Sequence, residues 1–120
     1  MEKKELKEVI SKNFENGYAV YTLLFQEIEE TKKLDELLKE IEDEEKNIKY
    51  ICILERKRKR NTHCNIITEI KHKKLIKTKC ESKGIVVKEN EFRKEATESV
   101  CEYLLKGENA CIRSSICRQR

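Results

Sequence analysis

The chain alternates between stretches with apolar residues at helical spacing and short, nearly continuous apolar runs. Leu6, Val9, Ile10 and Phe14 recur every three or four residues, which predicts a helix over Lys3–Phe14, and Gly17 ends the connection to the next run. Tyr18–Phe25 is apolar at both parities, as expected for a strand buried on both faces in the middle of a sheet. Leu34, Leu37, Leu38 and Ile41 form the apolar stripe of a second helix, from a candidate cap at Thr31 to about Lys46; its other side is dense in Glu and Asp, a solvated surface. Two short runs come next, Lys49-Tyr-Ile-Cys-Ile-Leu-Glu55 and Thr62-His-Cys-Asn-Ile-Ile-Thr-Glu-Ile70. Rich in Ile, Cys, Leu and Thr and separated by a polar connection, they read as a β-hairpin. Lys71–Lys79 is expected to be a short helix or irregular turn, Ile85–Lys88 a brief strand after Gly84, and Glu91–Lys106 a third helix after Asn90, closed by Gly107. The order of elements predicts an α+β fold, a central, mostly antiparallel sheet with helices packed over it.

With 120 residues, no Pro and 3 Gly, one domain over residues 1–120 is expected, with a basic tail at 108–120. The net charge of +4 is unevenly spread. Met1–Asn47 holds 8 Lys/Arg against 14 Asp/Glu, whereas Ile48–Arg120 holds 19 against 9, the footprint expected for a polyanionic partner. Solvated faces explain the same charge equally well. No run of about 18 apolar residues and no apolar stretch behind the N-terminus predict neither a membrane span nor a secretory signal, hence a cytoplasmic protein, in a host's cytoplasm if viral.

Six cysteines, at 52, 64, 80, 101, 111 and 117, form no Cys-x-x-Cys pair. Cys52, Cys64 and Cys101 lie in apolar stretches and read as small core residues. A zinc site strung from His63, Cys64, His72 and Cys80 fits no common ligand spacing, and His72 reads as a solvated surface residue. A disulfide between Cys111 and Cys117 is expected only in a hyperthermophile's protein.

The chemistry is concentrated in the predicted hairpin. Residues two apart share a face of a strand, so His63 and Asn65 project together and Cys64 goes to the other side. Pairing of the strands brings Glu55 beside them, and one carboxylate, one imidazole and one amide oxygen make a candidate divalent-cation site. A Glu, a loop and then His63-Cys64-Asn65 resembles the metal-binding signature of the HUH endonucleases, the rolling-circle replication initiators (Rep proteins) of viruses and plasmids. Asn65 stands where that family has a second His, and some families of circular single-stranded DNA viruses carry Gln there. Tyr21-Thr-Leu-Leu-Phe25 is similar to the family's first motif, with Leu24 in place of its second Thr. Tyr103-Leu-Leu-Lys106 matches its Tyr-x-x-Lys nucleophile motif, and Ser99 occupies the place of the first tyrosine of two-tyrosine initiators. A core tyrosine on an amphipathic helix is the plainer reading of Tyr103 taken alone.

The resemblance, spread over residues 18–107, implies a ferredoxin-like core and a nicking and joining enzyme. It would act on single-stranded DNA at a replication origin, using Mn²⁺ or Mg²⁺ held by Glu55, His63 and Asn65. Tyr103 would be the nucleophile, leaving a 5′-phosphotyrosine and a free 3′-OH, with Lys106 neutralising the phosphate. Arg56, Lys57, Arg58, Lys59 and Arg60, on the expected hairpin tip, and Lys71, Lys73 and Lys74 are the expected DNA-backbone contacts. A domain of this size is expected to gain from forming a homodimer. A catalytically degraded single-stranded nucleic-acid binder on the same fold is the alternative.

Overall fold

Five strands form one antiparallel sheet among the described residues, in the order β4-β1-β3-β2-β5. The chain runs α1 (Lys3–Asn13), β1 (Tyr18–Phe25), α2 (Thr31–Glu44), β2 (Tyr50–Arg58), β3 (Asn61–Thr68), α3 (Lys73–Ser82), β4 (Val86–Phe92), α4 (Thr97–Leu104) and β5 (Glu108–Ser114). Single 3₁₀ turns at Ile70–His72 and Lys94–Ala96 lead into α3 and α4. The structure, a computed structural model, describes the backbone of residues 2–25, 31–58, 61–106 and 108–116, and their side chains except at 31, 55–58, 61, 62 and 108–113. The α+β expectation holds, with helices on both faces of the sheet.

Period-two alternation sorts the core into two layers. Ala19, Tyr21, Leu23 and Phe25 of β1 meet Cys52 of β2, Cys64 and Ile66 of β3, and the stripes of α2 and α3. On the other face Tyr18 and Val20, Ile51 and Ile53, and Ile67 pack against Leu6 and Ile10 of α1 and Val100, Cys101 and Leu104 of α4. β1 is indeed internal, paired with β3 on one side and β4 on the other, which explains why both parities of its sequence are apolar. The turn into β1 depends on Gly17, whose φ is +97°; a Cβ there would sit 2.9 Å from the Phe92 carbonyl oxygen.

Several boundaries move. β2 continues through Arg58, so Arg56, Lys57 and Arg58 belong to a strand rather than a hairpin tip, with an irregularity where Arg58 pairs with Asn61. Lys59, Arg60 and the predicted cap Gly107 lie outside the described residues. Val86–Phe92 is strand throughout, so Asn90 and Glu91 lie in β4 and the third long helix begins only at Thr97. Pairing to β1 from Val86 to Phe92 outweighs the helical pattern that starts at Glu91. Glu108–Ser114 of the expected basic tail form β5 along the edge of β2, and residues 117–120 lie outside the described residues. Ser114 and Ser115 fasten it there, donating from their hydroxyls to the carbonyls of Tyr50 (3.1 Å) and Ile48 (2.6 Å). His72, expected at the surface, is buried, its Nε2 3.9 Å from Glu69 Oε1, because the 3₁₀ turn folds it under the start of α3.

Candidate functional site

The sheet face beneath α1 and α4 carries the predicted site. Register places Glu55 opposite His63 and His63 opposite Leu24, one row across three strands. In the next row Thr22 stands opposite Asn65. His63 is half-buried and Asn65 is 1% exposed. The Thr22 hydroxyl donates to Asn65 Oδ1 at 2.8 Å, so one lone pair of the expected ligand oxygen is already used. Cys64 points the opposite way into the core beneath α2, which removes the zinc arrangement that would have used it with His63. Among the described side chains no three His, Cys, Asp or Glu residues gather as a metal site. Glu55 is placed by its backbone alone, and Asn65 belongs to none of those four types.

A cavity of about 460 Å³ opens between this face and α4. Its floor is Val20, Thr22 and Leu24 of β1, with His63 at one end. Lys88, Asn90 and Phe92 of β4 form one wall, and Ser99, Val100, Tyr103 and Leu104 of α4 form the other. His63 and Tyr103 therefore line one space, and the Glu55 register position adjoins it. The expected helical partnership of Lys106 does not hold: α4 ends at Leu104, and Lys106 is an exposed residue beyond it that does not line the cavity.

Tyr103 differs from the other tyrosines in a way that matters for nucleophilic chemistry. Tyr18 and Tyr21 are 0% exposed and Tyr50 1%, against 61% for Tyr103. Burial raises the pKa of Tyr18, whose hydroxyl donates to Thr97 Oγ1 at 3.3 Å, and that of Tyr21, which also faces Glu89. Tyr50 donates to Glu42 of α2. These three hydroxyls are sequestered or held protonated. Two buried thiols are also unsuited to attack, because burial pushes Cys80 up to about 11 and raises Cys101 as well.

α4 is held from two sides. Its first turn is fixed to β1 through Tyr18 and Thr97, whose own hydroxyl donates to the Lys94 carbonyl at 2.6 Å. Lys3 of α1 reaches Glu102 at 2.7 Å and Glu98 at 3.4 Å, while Lys7 is 3.7 Å from Glu98. The Lys3 hydrogen bond holds the Glu102 carboxyl below its usual range. The carboxylates of α4 thus face α1, and none of the described residues lining the cavity is acidic.

The other proposed DNA contacts fall elsewhere. α3 covers the opposite face of the sheet, so Lys71, Lys73 and Lys74 are exposed on the far side from Tyr103. Lys73 is paired with Glu89 at 3.1 Å and Lys71 lies 3.8 Å from Glu69. Lys88 and Asn90 are the cavity residues that the sequence pattern did not single out. They resemble a lead-in to a helix but are alternate positions of a strand, and the period-two series Val86, Lys88, Asn90, Phe92 was the available signal. Compared with protein-family models, curated proteins and solved structures, the chain finds no match.

Proposed function

We propose that this protein nicks and rejoins single-stranded DNA through Tyr103, as a metal-dependent replication initiator of the HUH type. The observation that carries the reading is the shared cavity: the one exposed tyrosine of four lines the same space as His63, whose register partner is Glu55. Tyr103 Oη gives up its proton to solvent and attacks phosphorus, the phosphorus–O3′ bond breaks, and the released 3′ oxygen takes up a proton. Attack by a 3′-OH on the phosphotyrosine reverses the step and rejoins strands. A tyrosine hydroxyl, with a reference pKa of about 10, needs its target phosphate positioned and its charge offset. His63 and the carboxylate of Glu55 are suitable donors for Mn²⁺ or Mg²⁺, and Asn65 retains a second lone pair. A cation bound there would supply positive charge to the non-bridging oxygens. Arg56, Lys57 and Arg58, leading away from Glu55 along β2, would hold the DNA backbone without sequence preference.

The burial of Asn65 and its bond to Thr22 favour a second reading, a single-stranded nucleic-acid binder whose metal site has lost one ligand. A covalent adduct separates the two. With Mn²⁺ and a pool of single-stranded oligonucleotides, the protein is expected to give a shifted protein–DNA band that Tyr103→Phe and His63→Ala both abolish. Tyr103 is exposed, so the phenylalanine variant should keep its stability within about 0.5 kcal/mol. No adduct in the unaltered protein while binding persists would favour the second reading, and an adduct surviving in Tyr103→Phe would assign the attack to a residue other than Tyr103.

A further inference from the structure

The cavity is larger and more apolar than in-line attack on a phosphate requires. A phosphate and its cation need donors and charge, yet most of the surface behind Tyr103 is hydrocarbon, from Val20, Phe92, Val100 and Leu104. Its volume of about 460 Å³ falls within the roughly 300–1,000 Å³ of small-ligand pockets. Lys88 and Asn90 stand exposed along its rim on β4, while the opposite wall carries the small side chain of Ser99, one turn before Tyr103. The apolar surface continues outward. Val86 pairs with Leu24 and lies on the same face of β4 as Lys88, and Val86 and Tyr103, each 61% exposed, are the large hydrophobics most open to solvent among the described residues.

From this we infer that the slot between β4 and α4 takes a single nucleobase, that of the nucleotide next to the phosphate beside His63 and Tyr103. The inference rests on the single-stranded nucleic-acid reading above and not on the nicking step. A base is flat and apolar on its faces and polar at its edge, which matches hydrocarbon walls closed by an amide, a hydroxyl and an ammonium at the rim. Charge agrees: among the described lining residues Lys88 is cationic and none is acidic. Ser99 makes the room. A tyrosine at this position, one turn from Tyr103, would project its ring into the slot.

The test separates the base pocket from both the chemistry and the general affinity for DNA. Fluorescently labelled eight-nucleotide single strands, with bases and as abasic backbones of equal charge, are titrated with the protein in EDTA, where no metal-dependent cleavage occurs. The base-containing strand is expected to bind at least tenfold more tightly than the abasic one. In Ser99→Tyr this ratio should fall to about one while abasic affinity stays unchanged; Asn90→Leu, at an exposed rim position, should alter the preference among bases. Unfolding curves on each variant confirm that the fold persists. Equal binding of both strands by the unaltered protein, or a preference that survives in folded Ser99→Tyr, would overturn the pocket and leave the nucleic-acid reading standing. Binding of neither strand would overturn both and assign the slot to another occupant.

Discussion

The two faces of the sheet are each covered by a pair of helices, but they are finished differently. Beneath α2 and α3 the stripe Leu34, Leu37, Leu38 and Ile41 closes over the sheet at 0–1% exposure, and Ile76 and Cys80 complete the layer. Its margin is sewn by ion pairs, Lys83 to Glu40 at 2.7 Å and Lys79 to Glu44. Beneath α1 and α4 the cover is incomplete. α4 has 8 residues against 14 in α2, and where it falls short the sheet exposes polar chemistry: Thr22, His63 and the Lys88–Asn90 edge. One β-sheet thus carries a closed core on one side and the wall of a cavity on the other. Strand parity keeps the two apart, since Cys64 and His63 are neighbours in sequence and opposites in space.

The largest effect that would test this division comes from emptying the closed face. Leu37→Ala removes a fully buried side chain from the layer beneath α2 and should cost about 2–5 kcal/mol of unfolding free energy. DNA affinity of the fraction that remains folded should be unchanged. Tyr103→Phe should give the mirror result, intact stability with loss of the proposed adduct. Denaturant unfolding and oligonucleotide binding measured on both variants check the pair, and a Leu37→Ala protein that is stable but binds poorly would break the comparison.

A smaller effect concerns pH. Burial raises Cys80 from 9.0 to about 11 in the folded chain. Above pH 9 the unfolded chain releases this proton first, so it binds fewer protons than the native state and stability falls as pH rises. The contribution is fully present below pH 9 and lost by about pH 11, a span of at most about 2–3 kcal/mol. Tyr21, raised by burial on the same face, adds to the slope at higher pH. Cys80→Ala should flatten the alkaline decline in urea midpoints between pH 8.5 and 10.5, at some cost in stability at neutral pH. An unaltered slope would mean that the closed face is not as dry as its packing implies.

Much of this arrangement was legible in the sequence where pattern and chemistry agreed. Tyr18–Phe25 reads as an internal strand because both its faces are apolar, and β1 has those bounds. The convergence of Glu55 and His63 follows from hairpin register alone. Less legible were features decided by contacts distant in sequence. β4 holds Lys88, Glu89, Asn90 and Glu91, a composition that resists a strand assignment until β1 supplies its hydrogen-bonding partner. β5 reads as a basic tail because the serine hydroxyls that fasten it bond to carbonyls more than sixty residues earlier. The burial of His72 and the bond from Thr22 to Asn65 are likewise products of tertiary packing. Neither leaves a mark in local spacing.

The smallest effect bears on the open face itself, at the Thr22–Asn65 pair. Asn65 is 1% exposed and accepts the Thr22 hydroxyl at 2.8 Å. Thr22→Val keeps the branched shape that suits β1 but withdraws the donor, leaving a buried amide oxygen without its partner at a cost of about 1–2 kcal/mol. The outcome for metal binding discriminates between roles for Asn65. If its remaining lone pair serves a cation beside His63, freeing the first should leave Mn²⁺ affinity unchanged or tighter even as stability falls. A purely structural pair would give the same stability loss, and then Asn65→Ala should bind Mn²⁺ as the unaltered protein does. Mn²⁺ titration of Thr22→Val and Asn65→Ala by electron paramagnetic resonance, beside their urea midpoints, decides whether Asn65 belongs to the proposed cation site or serves only the packing of the open face.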